Sequence, residues 1–242
     1  MFVREKGLRM LVVSADRHGG ISEAPYHSLN VSYGVGDNAA LVTANREQLK
    51  LKYSVPVLLS AHQIHGDAIF VLNEQLQTDL EVDGYDALVT DQRDTGLLIQ
   101  QADCQAICLF DPERPAIAAI HSGWRGSVTN IAAKTVQLLC DEYDSATEKM
   151  QAFISPSLGP CCAEFVNHAR ELPPSFLPFK EGTNYFDFWK ISTMQLTEAG
   201  IPAKNISVSG VCTSCSSDYF SYRRACRNGN GITGRCATLI AL

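Results

Sequence analysis

Two histidines and one cysteine stand where apolar runs break off. His65 lies in AHQIHGDAI, Cys104 in QQADCQAICLF and His121 in AAIHSGWRG, each at the junction of an apolar segment with a turn. Glycine follows both histidines, at 66 and 123, and the missing β-carbon lets backbone and ligand come close. Two imidazoles and one thiolate suit a tetrahedral zinc whose fourth position stays open to water or substrate. The separations along the chain are long. Spacing alone therefore leaves a second reading open, in which Cys104 is a small buried apolar residue and the histidines hydrogen-bond within turns.

The elements that must position these residues are mostly strands. Short apolar or alternating runs at 9–14, 57–60 leading into 68–72, 86–90, 96–100, 105–110 and 115–120 are bounded by Gly, Pro and Asp. Helical spacing predicts helices over 38–52, with Asp37 or Asn38 as cap, over 127–143, with Ser127 as cap, and over 187–199, ended by Gly200. The segments 207–214 and 236–242 read as two closing strands around a Gly- and Arg-rich loop, and 171–184 reads as a surface excursion. Strands and helices intermix without strict βαβ alternation. The expected fold is α+β, mixed β-sheets packed in layers with helices outside, in one domain over 1–242.

Composition bounds the function. A chain of 242 residues, 45% apolar and 19% charged, can bury one large core. The net charge of −6 argues against a protein that tracks a phosphate backbone, because such affinity comes from Lys and Arg neutralising phosphates. The apolar run near the N-terminus is too short for a signal peptide or a membrane span, so no membrane partner and a cytoplasmic location are expected. Nine cysteines, an odd number without a secretory signal, read as reduced thiols. Among them Cys212, Cys215, Cys226 and Cys236 offer four thiolates, but the second pair lacks the usual zinc-knuckle spacing. Reduced cysteines in closing strands are the expectation.

The ordered series RHGGIS (17–22), PYHSLN (25–30), VGD (35–37), QIHGD (63–67), DALVT (86–90), ADC (102–104), HSGWRG (121–126), GPCC (159–162), FSYRR (220–224) and TGR (233–235) resembles the YfiH family of bacterial proteins across nearly the whole chain. The resemblance implies a zinc-dependent purine nucleoside phosphorylase with adenosine deaminase activity, in a family first described as laccase-like polyphenol oxidases. It also implies a fold similar to the cytotoxic necrotising factor toxins, and metal ligands at His65, Cys104 and His121. The substrates implied are purine nucleosides and phosphate. Departures at Asp16, where the family has Thr or Ser, and at Ser155, where it has Gly, bear on substrate range rather than on the metal.

Two further chemistries compete at the same residues. A multicopper oxidase needs about ten histidines to fill its copper sites, and the chain has six. A single copper ion could still occupy a site of two imidazoles and a thiolate. A Cys–His hydrolase would use Cys104 as nucleophile and His121 as base. For phosphorolysis the site must hold a phosphate dianion, and guanidinium suits that through its planar donor fork. Arg17, beside the paired glycines 19 and 20, is the first expectation, and Arg223 and Arg224 come next; only one of that pair can reach the site if 219–224 is a strand, and Arg223 is taken as the candidate. Asn30 is a substrate-binding candidate. Asp86 and Asp103 are the candidates for moving a proton in deamination, which would deliver hydroxide to C6 of the purine. Trp124 and Arg125 read as bracing residues.

Overall fold

The computed structural model describes residues 2–5 and 8–242. In chain order its strands are β1 (Phe2–Glu5), β2 (Leu8–Ser14), β3 (Val57–His62), β4 (Ile69–Leu72), β5 (Leu80–Asp83), β6 (Ala87–Thr90), β7 (Thr95–Gln101), β8 (Gln105–Phe110), β9 (Ile117–Ser122), β10 (Gln151–Ile154), β11 (Lys180–Glu181), β12 (Tyr185–Phe186), β13 (Ile206–Val208) and β14 (Cys236–Ala241). The helices are α1 (Ala39–Tyr53), α2 (Trp124–Thr129), α3 (Ile131–Tyr143), α4 (His168–Glu171), α5 (Phe188–Glu198) and α6 (Tyr222–Asn228).

Strands β6, β7, β8, β9 and β14 are buried along their whole length, on both faces, and the sheets show why. One sheet has the order β1-β2-β14-β7-β3-β5, a second the order β13-β10-β8-β9-β6-β4. Both are mixed: in the first β3 runs parallel to β5 and β7 while β14 runs antiparallel to β7, and in the second β4 runs parallel to β6 while β9 runs antiparallel to it. Alternate residues face opposite ways along a strand. Leu97 and Ile99 of β7 therefore meet Ala106, Cys108 and Ile117 of the second sheet, while Leu98 turns outward to Leu49 of α1. On the far side Ile107, Leu109 and Ile120 pack on Ile131, Val136 and Leu139 of α3. The result is helix, sheet, sheet, helix, the layered α+β arrangement expected from the sequence.

The run from 57 to 72 does not continue as one strand. β3 lies in the first sheet and β4 in the second, so the chain changes sheets over 63–68. After returning over 73–79 and 91–94, it passes from the first sheet to the second twice more, over 84–86 between β5 and β6 and over 102–104 between β7 and β8. These three crossovers carry His65, Asp86 and Cys104. Backbone bonds cannot continue into either ladder at such points, which leaves N–H groups free to organise a site.

Other expectations need correction. The helix expected over 127–143 is two helices, broken where Asn130 takes a left-handed conformation (φ 55°) and accepts from the Ala133 N–H to cap α3. Residues 219–224 are not a strand, because Ser221 caps α6 through the Arg224 N–H. Of the first closing strand only β13 forms, and Cys226 lies in α6. The excursion at 171–184 folds back: Phe176, Phe186 and Phe188 bury together, with Phe165 and Trp124 packed beside them.

Candidate active site

Asp86 organises the centre. Its carboxylate is fully buried and accepts from three successive backbone N–H groups of the first crossover, Ile64 (3.3 Å), His65 (2.9 Å) and Gly66 (2.7 Å). His65 meets this geometry in a left-handed conformation, φ 62°. The same carboxylate lies 2.8 Å from Nδ1 of His121, whose own N–H donates to the Asp86 carbonyl at 2.7 Å. One carboxylate thus ties two strand ends together. In the neutral ring it holds the proton of His121 on Nδ1 and leaves Nε2 as the nitrogen that can bind a metal.

Three donors converge in front of it. The donor atoms of His65, Cys104 and His121 lie within 4.8 Å of one another, with Cys104 Sγ 3.7 Å from His65 Nε2. Ordinary zinc bonds to sulfur and nitrogen at a tetrahedral angle would hold those two atoms about 3.6 Å apart, so the pair fits a metal without rearrangement. The imidazoles meet edge to face, centroids 4.8 Å apart. Gly123 is required here: a β-carbon at that position would come within 3.0 Å of both Cys104 Sγ and the His65 ring.

The electrostatics favour a thiolate. Burial opposes charge on Cys104, but His121 and hydrogen bonds from both imidazoles outweigh it and bring the thiol down to about 6. Burial likewise disfavours protonated His121, yet the Cys104 thiolate and Asp86 lift it to about 9. Burial also opposes ionisation of Asp86, while His121 and the Gly66 and His65 N–H groups hold its carboxyl below the ordinary carboxylate value. Metal-free, the centre is a thiolate beside an imidazolium.

The donors open into a cavity of about 790 Å³, a volume suited to a small organic ligand. Trp124, Phe165 and Phe188 give it an aromatic wall, and Arg125, Arg223 and Arg235 bring cationic groups to it. The Arg125 guanidinium sits 4.5 Å above the Trp124 ring. Arg223 donates from both Nη atoms to the Glu164 carbonyl at 3.1 Å. Arg224 faces away, spending its donors on the Thr213, Ser216 and Tyr219 carbonyls. Only one of the two arginines lines the cavity, and the helical turn of α6 separates them.

Arg17 and Asn30 sit outside the cavity lining, while Asp86 and Asp103 lie at the site with their oxygens engaged. Arg17 does not line the cavity: its guanidinium donates to the His27 carbonyl and lies 4.6 Å over the Phe220 ring. Asn30 is fully buried and bonds to Ser32, Asp37 and the Arg235 N–H. It is a strut behind Arg235. Asp86 has no exposed surface, and both its oxygens are engaged by the His65, Ile64 and Gly66 N–H groups and His121. Asp103 lines the cavity, but its oxygens accept from Thr213 Oγ1 (2.7 Å) and the Arg223 N–H (2.6 Å), so it anchors α6. Arg235, Phe165 and Glu164 were not singled out for a role by sequence. The TGR motif carried the first of these, and nothing local marked the other two.

Residues 11–242 match the family model described as "Multi-copper polyphenol oxidoreductase laccase". The chain is 33% identical over 242 residues to "Purine nucleoside phosphorylase YlmD" of Geobacillus stearothermophilus, with 93% of this chain and 87% of that protein covered. It is 30% identical to "Purine nucleoside phosphorylase" of Bacteroides thetaiotaomicron, covering 86% and 84%. The crystal structure of Bacillus licheniformis hypothetical protein YfiH superposes with a TM-score of 0.85 at 31% identity, over 96% of this chain and 92% of that one. Sequence, fold and the paired-histidine and cysteine site agree that this chain belongs to the laccase-like YfiH family.

Proposed function

We propose that the chain is a zinc-dependent purine nucleoside phosphorylase, splitting a purine nucleoside with phosphate into free base and ribose 1-phosphate, with adenosine deamination as a second activity. The observation that carries the proposal is the opening of a two-imidazole, one-thiolate set into a cavity that combines an aromatic wall with three arginines. Names given to relatives of this chain point the same way.

His65, Cys104 and His121 would hold the zinc, with Asp86 fixing two of them. Bound there, zinc supplies Lewis-acid polarisation and lowers the pKa of a water ligand. In phosphorolysis a phosphate oxygen forms the new bond to C1′, the bond from C1′ to purine N9 breaks, and its electron pair leaves with the base. Arg125, Arg223 and Arg235 hold the dianion through their donor forks and favour the transition state by fixed charge. Trp124 and Phe165 offer faces for the base. Arg17 takes no part.

One feature favours a second reading. In the metal-free centre the neighbouring imidazoles bring the Cys104 thiol down to about 6, as a Cys–His nucleophile needs. His65, the third donor, has no task in such a dyad and suits a metal instead. The family description favours copper oxidation, but a multinuclear copper centre would need more imidazoles than the six in the sequence. The test is release of free base from inosine, with and without phosphate, by zinc-loaded and metal-stripped protein. Phosphate-dependent release lost on stripping supports the proposal. Release independent of phosphate, or untouched by metal removal, overturns it.

A further inference from the structure

A second set of thiols lies apart from the donors just described. Cys161 and Cys162 follow Gly159-Pro160 in a turn closed by the Cys162 N–H on the Gly159 carbonyl, 2.9 Å. Cys212 and Cys215 stand in another turn, where the Cys215 and Ser216 N–H groups donate to the Cys212 carbonyl at 3.2 and 3.0 Å. The two turns are brought together by backbone bonds between Ser157 and residues 211 and 213. Gly159 permits the approach, since a β-carbon there would stand 3.0 Å from Cys212 Cβ.

All four sulfurs lie within 4.8 Å of one another. Cys215 Sγ is 3.5 Å from Cys161 Sγ and 3.6 Å from Cys162 Sγ. Zinc–sulfur bonds of ordinary length make a tetrahedron with edges of about 3.8 Å, close to both separations. A disulfide would draw two sulfurs to about 2.05 Å and leave the other two aside, whereas Cys215 stands almost equally near two partners. Four thiolates around a dication carry excess negative charge, and Arg227 answers it, Nη1 lying 3.8 Å from Cys162 Sγ.

We propose that Cys161, Cys162, Cys212 and Cys215 form a closed four-thiolate zinc site, structural rather than catalytic because no coordination position is left open. The set replaces the one open to sequence reading: Cys226 lies in α6, and Cys236 is buried on β14, accepting from the Phe220 N–H. The site staples the turn leading to Glu164 to the segment leading to Arg223, two residues whose contact shapes one cavity wall. It does not depend on the nucleoside reading.

Elemental analysis of the holoenzyme distinguishes the two metal positions. A His65→Ala/His121→Ala chain should retain zinc in a roughly one-to-one ratio, held by four sulfurs at about 2.3 Å in X-ray absorption. Cys212→Ser/Cys215→Ser should lose that zinc. Should the serine variant not fold, peptide-mapped alkylation of the unmodified holoenzyme decides: Cys161 and Cys215, though exposed, should label at least about tenfold faster once a chelator is added, a thiolate in a metal bond being unavailable as nucleophile. A histidine variant free of zinc, rapid labelling without chelator, or a disulfide among these cysteines in enzyme kept under reductant would each overturn the proposal.

Discussion

The two groups of metal-ligating side chains share cysteine but stand on opposite architectures. His65 and Cys104 come from crossovers between the sheets and His121 from the end of β9; one buried carboxylate locks the two histidines, and all three donors face a cavity. Cys161, Cys162, Cys212 and Cys215 come from two surface turns and face one another. Mixed donors with an open side suit a centre that must admit a substrate, and four sulfurs without one suit a staple. On the proposed roles, the difference teaches that donor type and an open side, rather than the presence of cysteine, would separate chemistry from reinforcement.

Removing a donor from each cluster should break the symmetry most sharply. Cys104→Ala should lower kcat/KM for phosphorolysis by about 1,000-fold, since a lost Lewis acid removes several kcal/mol of transition-state stabilisation. Cys212→Ser should instead act mainly on the midpoint of thermal unfolding, with steady-state rates measured at low temperature changed far less. Equal loss of rate in both variants would contradict the division of labour.

Behind the open site, Asp86→Asn keeps the shape but removes the charge that binds three N–H groups and orients His121. Zinc affinity, measured by competition with a chelator, should fall about 10- to 100-fold. An unchanged affinity would mean that His121 is positioned by β9 alone.

The pH response separates the clusters at intermediate strength. With the Cys104 thiol held at about 6, thiolate is the major form above that pH. Alkylation of Cys104 in metal-stripped protein should therefore climb as pH rises through about 6 and level off near neutrality, where an ordinary thiol, at about 8.5, is still mostly protonated. A midpoint near that of an ordinary thiol would show that neither imidazole stabilises the sulfur.

The smallest contrast concerns the arginines. Arg125→Ala should raise KM for phosphate about tenfold, as expected for one hydrogen bond to a charged group. Arg17→Ala should leave it unchanged, because Arg17 is engaged with His27 and Phe220.

The sequence was most legible where periodicity and chemistry coincided. Apolar runs that stop at His65, Cys104 and His121 could be read directly, because a strand entering a crossover exposes its last side chains. The layered sheets were legible for the same reason, as was α1, whose Asn38 cap accepts the Ala40 N–H. Illegible were the partners chosen by tertiary packing. Arg17 beside two glycines looks like an anion site until the His27 carbonyl is brought to it. Asp86 looks like a free carboxylate until three N–H groups close on it. The break at Asn130 depends on one left-handed residue that helical spacing does not register. Cys162 and Cys215 lie 53 residues apart, and their turns meet through the pairing of β10 with β13 and of Ser157 with Cys212.

The central claim, that His65, Cys104 and His121 hold one catalytic metal, is tested most directly by anomalous diffraction from zinc-loaded crystals at the zinc edge. The account predicts a peak bonded to Nε2 of both histidines at about 2.0 Å and to Cys104 Sγ at about 2.3 Å, its remaining side open to the cavity. Zinc-loaded crystals of active enzyme with no peak among these three residues would contradict it.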